Sequence, residues 1–553
     1  MPWTLYRYIL RELLKLLALT TTVLVVVMSF AAAVQPMSDG QLSPGLLIKF
    51  VLFTAPTVLG FALPFAGAFA STLVFIRLAT DNEILACSAS GISYLRVLAP
   101  VLALGLVLTG GMLYLANYVV PGFYRQAERT VQSDVISLLV SQLNQQQAFE
   151  FSDQDIVVYA DAATEFDPVP TPESVLPMTQ LVELEGVVVG ETDEGGQVLQ
   201  DTTAKNAVLQ IYGDNETEDS WGVFQLRDVV RYAPATGVLM RLAFTEIGPL
   251  KLESALSDNP KFLSAKDLSR YEREPERSGE VRERMQELAS AMATESLRKA
   301  FVVVKDQAVL HGALDGDRYV LSVPTVEEDG DVLRLSSRVD RPIRVEFFSD
   351  GRIDGTPIKR YEADTAFVRV RTNPLTLEPD IVIELRDVTV SGGAAGVTVG
   401  NKSLVFRELT WPEFLPADLN QRQAVELLRE AGGDAYAASE SVGSSVNAME
   451  KVLASLQRNI TGQRHERAAT AVSCAMLLLL GSILSIRLKG QAPLVVYFWS
   501  FLLAIVTLII ISSGLNLADD LSKPAALGMG VVWSGNGLLL IVLFLSYLKL
   551  SRN

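Results

Sequence analysis

The apolar residues of the chain lie mainly in two blocks, one at each end, and a long polar stretch separates them. Crossing the hydrocarbon core of a bilayer takes about 20 apolar residues in a helix. Six charge-free runs are long enough: Leu16–Ser38, Phe50–Ile76, Val97–Tyr124, Ala468–Ile486, Gly490–Ala518 and Pro524–Leu548. The pattern therefore predicts six membrane-spanning helices, three before the polar stretch and three after it.

The first run has an alternative interpretation as a cleaved signal peptide, because three basic residues precede it and small residues occupy 31–33. Its apolar core is longer than the roughly 7–15 residues of a signal peptide, and two further spans follow at once. We therefore interpret it as a membrane span.

The polar stretch 121–466 changes to a strand pattern near residue 147. Alternating and β-branched segments, broken by Gly, Asp, Asn and Pro, predict short antiparallel strands up to about residue 260 and again over about 300–408. Helix-favouring sequence follows each block, over about 265–299 and about 417–466. The predicted fold class is an α-helical membrane protein with six transmembrane helices and an all-β insert that resembles a jelly roll.

Two pairs of segments repeat inside the insert at one constant spacing. AKNAVLQI at Ala204 matches ADTAFVRV at Ala363, and QLRDVV at Gln225 matches ELRDVT at Glu384, each pair 159 residues apart. Similar exit sequences, PKFLSAKDL and PEFLPADL, come after the two blocks. The shared order and spacing predict two tandem copies of one β domain.

These boundaries divide the chain into four parts. Residues 1–120 would hold the first three spans and 467–553 the last three. The first β domain with its flanking helices would occupy 121–300, and the second, with the return helices, 301–466.

Charge follows the same division and predicts an orientation. The net charge is +2 over residues 1–120, +4 over 467–553 and −22 over the insert. The short loops on one side of the predicted membrane hold nine Lys and Arg residues, whereas those on the other side hold only Lys49 and Lys523. The side richer in Lys and Arg is normally cytoplasmic. Both termini are therefore expected inside, and 121–466 outside the inner membrane, in the periplasm.

The short loop between the second and third spans carries the signals of a helix. Thr80 and Glu83 have the spacing of a capping box, and Gly91 predicts the end of the helix at about residues 80–91. Asp81 and Glu83 suit the positive end of a helix, and the apolar Ile84 and Leu85 follow. Glu83 either only caps this helix or belongs to a surface that docks on a cytoplasmic partner.

Several chemistries are excluded by composition. Only 2 cysteines occur, Cys87 and Cys474, both in or beside the apolar blocks, and the 2 histidines do not form a zinc spacing. GVTVGNKS from Gly396 lacks the glycine spacing of a phosphate-binding loop. The acidic insert argues against a nucleic-acid partner. We expect no catalytic residue, no cofactor and no metal, and hence no enzyme activity in this chain itself.

The loop sequence RLATDNEILACSASGIS, from Arg77 to Ser93, resembles the loop signature of the lipopolysaccharide-export ABC permeases of the LptF/LptG, or YjgP/YjgQ, type. LYRYILRELLKLL near the N-terminus, NYVVPGFYRQAER after the third span and RHERAATAVSCAMLLLLGSILSIRL at the fourth are also similar to that family. The order of spans and insert agrees with the family's layout.

The resemblance implies a place in a larger machine. Two such permeases, identical or paralogous, would pair in the inner membrane with cytoplasmic ABC ATPase subunits, which hydrolyse the ATP. The glycolipid cargo would enter between the permeases and pass to a periplasmic jelly-roll bridge protein. The loop helix would be the coupling helix, with Asp81, Glu83, Ile84 and Leu85 facing the ATPase.

Two features depart from that family. Its members usually have one β domain, and this chain has the sequence of two. Lys49 is the only basic residue in the short outer loop between the first two spans, so it is the candidate for lipid headgroup contact. The alternative for Lys49 is a snorkelling anchor at the membrane surface.

Two rival functions remain open from the sequence. One is a mechanotransmitting ABC permease, which moves force rather than lipid, although such proteins commonly have four spans. The other is a membrane-anchored periplasmic scaffold for envelope assembly, with the β blocks as binding modules.

Overall fold

The computed structural model describes residues 3–38, 47–123, 139–140, 142–145, 148–151, 156–166, 177–192, 198–213, 220–233, 238–252, 260–304, 307–312, 316–322, 325–329, 332–337, 342–349, 353, 356–372, 379–392, 399–411, 413–415 and 422–552. Contacts divide the chain into two compact units. The membrane unit comprises 1–131, 259–274 and 454–553, and the β unit comprises 132–258 and 275–453.

The helices that begin in the first half of the chain are α1 (Trp3–Ser38), α2 (Leu47–Thr80), α3 (Glu83–Ala89), α4 (Tyr94–Tyr114), α5 (Ala265–Arg273) and α6 (Gly279–Val304). The later ones are α7 (Ala424–Ala431), α8 (Glu440–Arg487), α9 (Pro493–Asp519) and α10 (Ala525–Arg552). Among the described residues, six helices are long and apolar enough to cross a membrane: α1, α2, α4, α8, α9 and α10. The six predicted spans are therefore confirmed.

Small residues allow the helices of the membrane unit to pack closely. A Cβ atom placed on Gly481 of α8 would lie 2.3 Å from the Ser71 hydroxyl oxygen and 2.7 Å from the Ala68 carbonyl oxygen of α2. A Cβ on Gly105 of α4 would lie 3.1 Å from the Ala475 Cβ. Spans pack on one another through such small residues because lipid gives no hydrophobic drive for their association.

The first sheet of the β unit contains β1 (Phe149–Phe151), β2 (Ile156–Tyr159), β3 (Ala162–Phe166), β4 (Met178–Thr192), β5 (Val198–Gly213), β6 (Ser220–Ala233) and β7 (Val238–Leu252). Its antiparallel order is β1-β2-β4-β5-β6-β7, and β3 also pairs with β4. One face buries a continuous apolar cluster that includes Leu184, Leu209 and Phe224.

The second sheet contains β8 (Ala308–His311), β9 (Arg318–Ser322), β10 (Val326–Asp329), β11 (Val332–Ser336), β12 (Ile343–Phe348), β13 (Lys359–Ala363), β14 (Thr365–Thr372), β15 (Pro379–Gly392) and β16 (Val399–Leu409). Its order is β10-β11-β14-β15-β13-β12-β9-β8, with β16 on β15. Helix α6 packs against β10, β11 and β14 and fully buries Leu288 and Met292.

The two sheets share one register at the spacing of 159 residues. Val208 lies opposite Gln225 in the first sheet, and Phe367 lies opposite Glu384 in the second. The next strand agrees as well, because Leu226 pairs with Thr245 and Leu385 with Leu404. The predicted pair of tandem β domains is confirmed by this common register.

A backbone irregularity is repeated at the same spacing. Asp228 and Asp387 both have φ of 54°, in the left-handed region that non-glycine residues rarely occupy. Aspartate tolerates this conformation better than most side chains do. The two copies therefore share a local kink as well as a register.

Candidate functional site on the membrane unit

The loop helix α3 lies between α2 and α4, but it begins differently from the prediction. Thr80 still belongs to α2, and its hydroxyl donates to the Ile76 carbonyl oxygen at 2.7 Å. Asn82, with φ of 56°, precedes the first helical residue, and its side chain makes no capping hydrogen bond. The predicted capping box of Thr80 and Glu83 was wrong because α2 continues through Thr80.

The end of α3 agrees with the prediction. Gly91 has φ of +77°, and the amide groups of Gly91 and Ile92 donate to the carbonyl oxygens of Ser88 and Cys87, both at 3.0 Å. This is the Schellman arrangement that glycine favours at a helix end. The helix is therefore closed by its own backbone before α4 begins after Ser93.

The four predicted site residues divide between two faces. Ile84 is 5% exposed and packs in the cluster of Leu78, Val97 and their neighbours at the ends of the spans. Leu85 is 59% exposed, Asp81 is exposed and Glu83 is half-buried. Ile84 thus anchors the helix to the membrane unit, while Leu85 and the two carboxylates are presented outward.

The span that precedes the loop helix is tied to α1 at the same end. One Arg77 nitrogen lies 3.4 Å from the Glu12 carboxylate, and another donates to the Tyr8 hydroxyl at 3.1 Å. Ser485 of α8 donates to the Thr72 carbonyl oxygen at 3.1 Å. These contacts hold the helices around α3 in a fixed arrangement.

The candidate headgroup residue Lys49 lies in the first turn of α2. Its side chain is outside the part of the chain that the structure describes.

The opposite end of the membrane unit contains a buried arginine that the sequence did not predict. Arg467 of α8 is 8% exposed. One of its nitrogens donates to the Leu263, Lys261 and Pro260 carbonyl oxygens at 2.7, 3.1 and 3.4 Å. The other donates to the Asn117 side-chain oxygen at 3.1 Å. Arg467 therefore joins the segment before α5 to two spans.

Asn117 sits in a π-helical turn, Leu115–Val119, that continues α4. Its amide nitrogen donates to the Leu113 carbonyl oxygen at 2.8 Å. π-Helical turns are rare and are frequent at functional sites. The turn and the side-chain contact aim the Asn117 oxygen at Arg467.

Two further arginines of α8 make contacts at this end. Arg464 lies 2.8 Å from the Glu272 carboxylate of α5. Arg458 donates to the Asp520 and Lys523 carbonyl oxygens, both at 2.8 Å, in the loop between α9 and α10. Hydrogen bonds from Ser522 and Lys523 lower the pKa of Asp520 to about 2. The arginine girdle (Arg458, Arg464 and Arg467) thus connects α8 to most neighbouring elements.

A cleft of about 670 Å³ opens beside the girdle, between α2, the π-helical turn, residues 260–263 and α8. Its lining is mostly apolar and includes Phe61, Met112 and Leu115. Two charged residues besides Arg467, Lys261 and Glu466, also line it. Among the described residues, no group of three His, Cys, Asp or Glu side chains is placed to hold a metal ion.

Six spans with a β-rich insert define a multi-pass membrane protein. The family model described as lipopolysaccharide export system permease LptF/LptG matches residues 7–299, more than half of the chain. The chain belongs to this permease family. Its role is therefore that of a lipopolysaccharide-export transport subunit rather than an enzyme. A comparison with curated proteins gives no match.

Proposed function

We propose that the chain is one of two paired permeases of an inner-membrane ABC transporter. It takes lipopolysaccharide or a related glycolipid from that membrane and passes it to a periplasmic jelly-roll bridge. The second permease is a copy of this chain or a paralogue, and cytoplasmic ATPase subunits supply the energy. The four predicted parts would divide this work, with the spans carrying the lipid and the two β domains forming the periplasmic side.

The observation that carries the proposal is the mounting of α3. A helix that transmits force must be fixed to the spans on one face and free to bind on the other. Buried Ile84 supplies the first face, and exposed Leu85 with Asp81 and Glu83 supplies the second. An exposed leucine beside acidic groups suits a partner surface with an apolar pocket and basic rim.

The coupling role predicts different results for neighbouring residues. Leu85→Ala is expected to weaken ATPase association about tenfold, because a truncated interface anchor costs roughly 1–2 kcal/mol. Ile84→Ala should instead lower the stability of the permease itself by about 2 kcal/mol or more. Co-purification of the ATPase and thermal unfolding of the permease measure the two effects separately.

Leu106→Ala is the matched control, since Leu106 is 65% exposed on α4 and lies away from the loop. It should leave both measurements at the wild-type value. Wild-type ATPase association and transport for both Leu85→Ala and Glu83→Gln, in folded protein, would refute the coupling role.

The orientation is testable with single cysteines in a Cys87→Ser background. Leu239, 63% exposed on β7, belongs to the insert, and Leu85 belongs to the loop helix. A membrane-impermeant maleimide should label Leu239→Cys from outside and Leu85→Cys only after the inner membrane is permeabilised. The native Cys474 is fully buried and should not react. The reverse labelling would contradict the charge-based orientation.

The free edge of the first sheet supports transfer to a bridge protein. Among the described strands, β7 pairs only with β6, so its outer side has unpaired backbone groups along 15 residues. Such an edge can add a strand from a partner. A photocrosslinker at Phe244 of β7 should capture the bridge, whereas one at Tyr232 of β6 should not. Equal capture from both positions would exclude edge pairing.

A further inference from the structure

The cleft beside the arginine girdle combines an apolar interior with two charged groups of opposite sign. The guanidinium group of Arg467 is engaged by four oxygen acceptors. Glu466 is half-buried and hydrogen-bonded to Gln463, and the ion pairs among the described residues do not include it. Lys261 is exposed at the other side of the same cleft. The cleft thus offers one carboxylate and one ammonium beside hydrocarbon.

The size and lining of the cleft fit one hydrocarbon chain of an amphiphile. Its volume of about 670 Å³ lies within the roughly 300–1,000 Å³ of small-molecule sites, which are also mostly apolar. Phe61 is 41% exposed, so the cleft reaches the surface of the helices there. Because these helices cross a bilayer, the amphiphile that meets this opening is a membrane lipid.

The two charges select the headgroup. A primary ammonium would donate charge-assisted hydrogen bonds to the Glu466 carboxylate, and the adjoining phosphate would face Lys261. A choline headgroup has the same charges but no N–H donor, and a glycerol headgroup has no cation. We propose that this cleft binds a phospholipid with an ethanolamine headgroup, as a resident lipid distinct from the exported cargo.

The proposal adds a ligand to the contacts of the girdle. A chain seated between α2, the π-helical turn and residues 260–263 would contact the same segments that Arg467 joins. The lipid would therefore stabilise the outer ends of these spans. The argument does not depend on the cargo route, so failure here would leave the transport proposal intact.

The test uses the full-length chain, with the subunits that co-purify, in nanodiscs of mixed phospholipids. Phosphatidylethanolamine, phosphatidylcholine and phosphatidylglycerol, each with a diazirine in the acyl chain, are added one at a time. Adducts on the peptide that contains Phe61 are measured relative to those on α9. The ethanolamine probe should label this peptide roughly tenfold more than the other two.

Two variants separate the chain site from the headgroup site. A Cβ on Gly60 meets nothing within 4 Å, so Gly60→Leu should fill the cleft and remove the labelling by all probes. Gly111 is equally open but does not line the cleft, and Gly111→Leu should label as wild type. Glu466→Gln should keep the labelling but lose the preference for ethanolamine. If Gly60→Leu does not fold, Ala116→Leu narrows the cleft from the other side.

Wild-type labelling in folded Gly60→Leu or Ala116→Leu protein would overturn the site. Equal labelling of the wild-type protein by the three probes, or an unchanged preference in Glu466→Gln, would overturn the headgroup assignment.

Discussion

Gly528→Ala is expected to destabilise the pairing of α9 and α10 by about 2–3 kcal/mol. The added Cβ would lie 2.3 Å from the Ala518 backbone nitrogen and 2.4 Å from the Ala518 Cα. Backbone atoms of a helix cannot rotate away, so the two helices must separate. A second close approach, where a Cβ on Gly514 would lie 2.5 Å from the Val532 nitrogen, would also be disturbed. Thermal unfolding of the purified protein in detergent measures the loss.

Gly530→Ala is the matched control for this prediction. It lies on the same helix two residues away, and a Cβ there meets nothing within 4 Å. Alanine is a better helix former than glycine, so the expected effect is neutral or stabilising by up to about 1 kcal/mol. Equal destabilisation by the two variants would contradict the close packing of α9 on α10.

The contrast between these glycines shows what composition alone missed in the last span. The sequence presents Gly528, Gly530, Gly535 and Gly537 as one set of small residues. Gly528 and Gly535 are two turns apart and face α9, whereas a Cβ on Gly530 or Gly537 would meet open space. The helical period separates the two pairs, but only the structure identifies which face meets α9.

The sequence predicted the spans and the β duplication well because both rest on repeated, local signals. Charge-free runs have no other stable location than a membrane or a deep core. The constant spacing of 159 residues reappears as an identical strand register. The predicted cap of α3 failed because a local motif was competing with the continuation of α2, and the Thr80 hydroxyl bonds within that helix instead.

The candidate site was only half visible in the sequence. The loop residues were identified by resemblance, but their division into buried Ile84 and exposed Leu85 depends on how α3 lies against the spans. Arg467 was missed because its partners are backbone carbonyl groups more than 200 residues earlier in the chain. The available signal was an arginine directly before a charge-free run, which must find partners if the helix end is buried.

Arg467→Ala is expected to release residues 260–263 from the membrane unit and to cost about 3 kcal/mol. Removing the guanidinium group leaves the Leu263 and Lys261 carbonyl oxygens and the Asn117 oxygen without this donor. A buried acceptor without a partner costs roughly 1–3 kcal/mol, and these costs are not additive. Limited proteolysis at 260–264 and thermal unfolding should both report the change.

Arg464→Ala is the control, one turn away on the same helix. Its ion pair with Glu272 is exposed, with side chains 39% and 42% accessible, so its loss should cost less than about 1 kcal/mol. Arg467→Lys should recover only part of the stability, because an ammonium cannot span the Asn117 oxygen and the carbonyl groups as the planar guanidinium does. If Arg467→Ala and Arg464→Ala unfold alike, the buried contacts do not hold this segment; if only Arg467→Ala opens 260–264 to protease, they do.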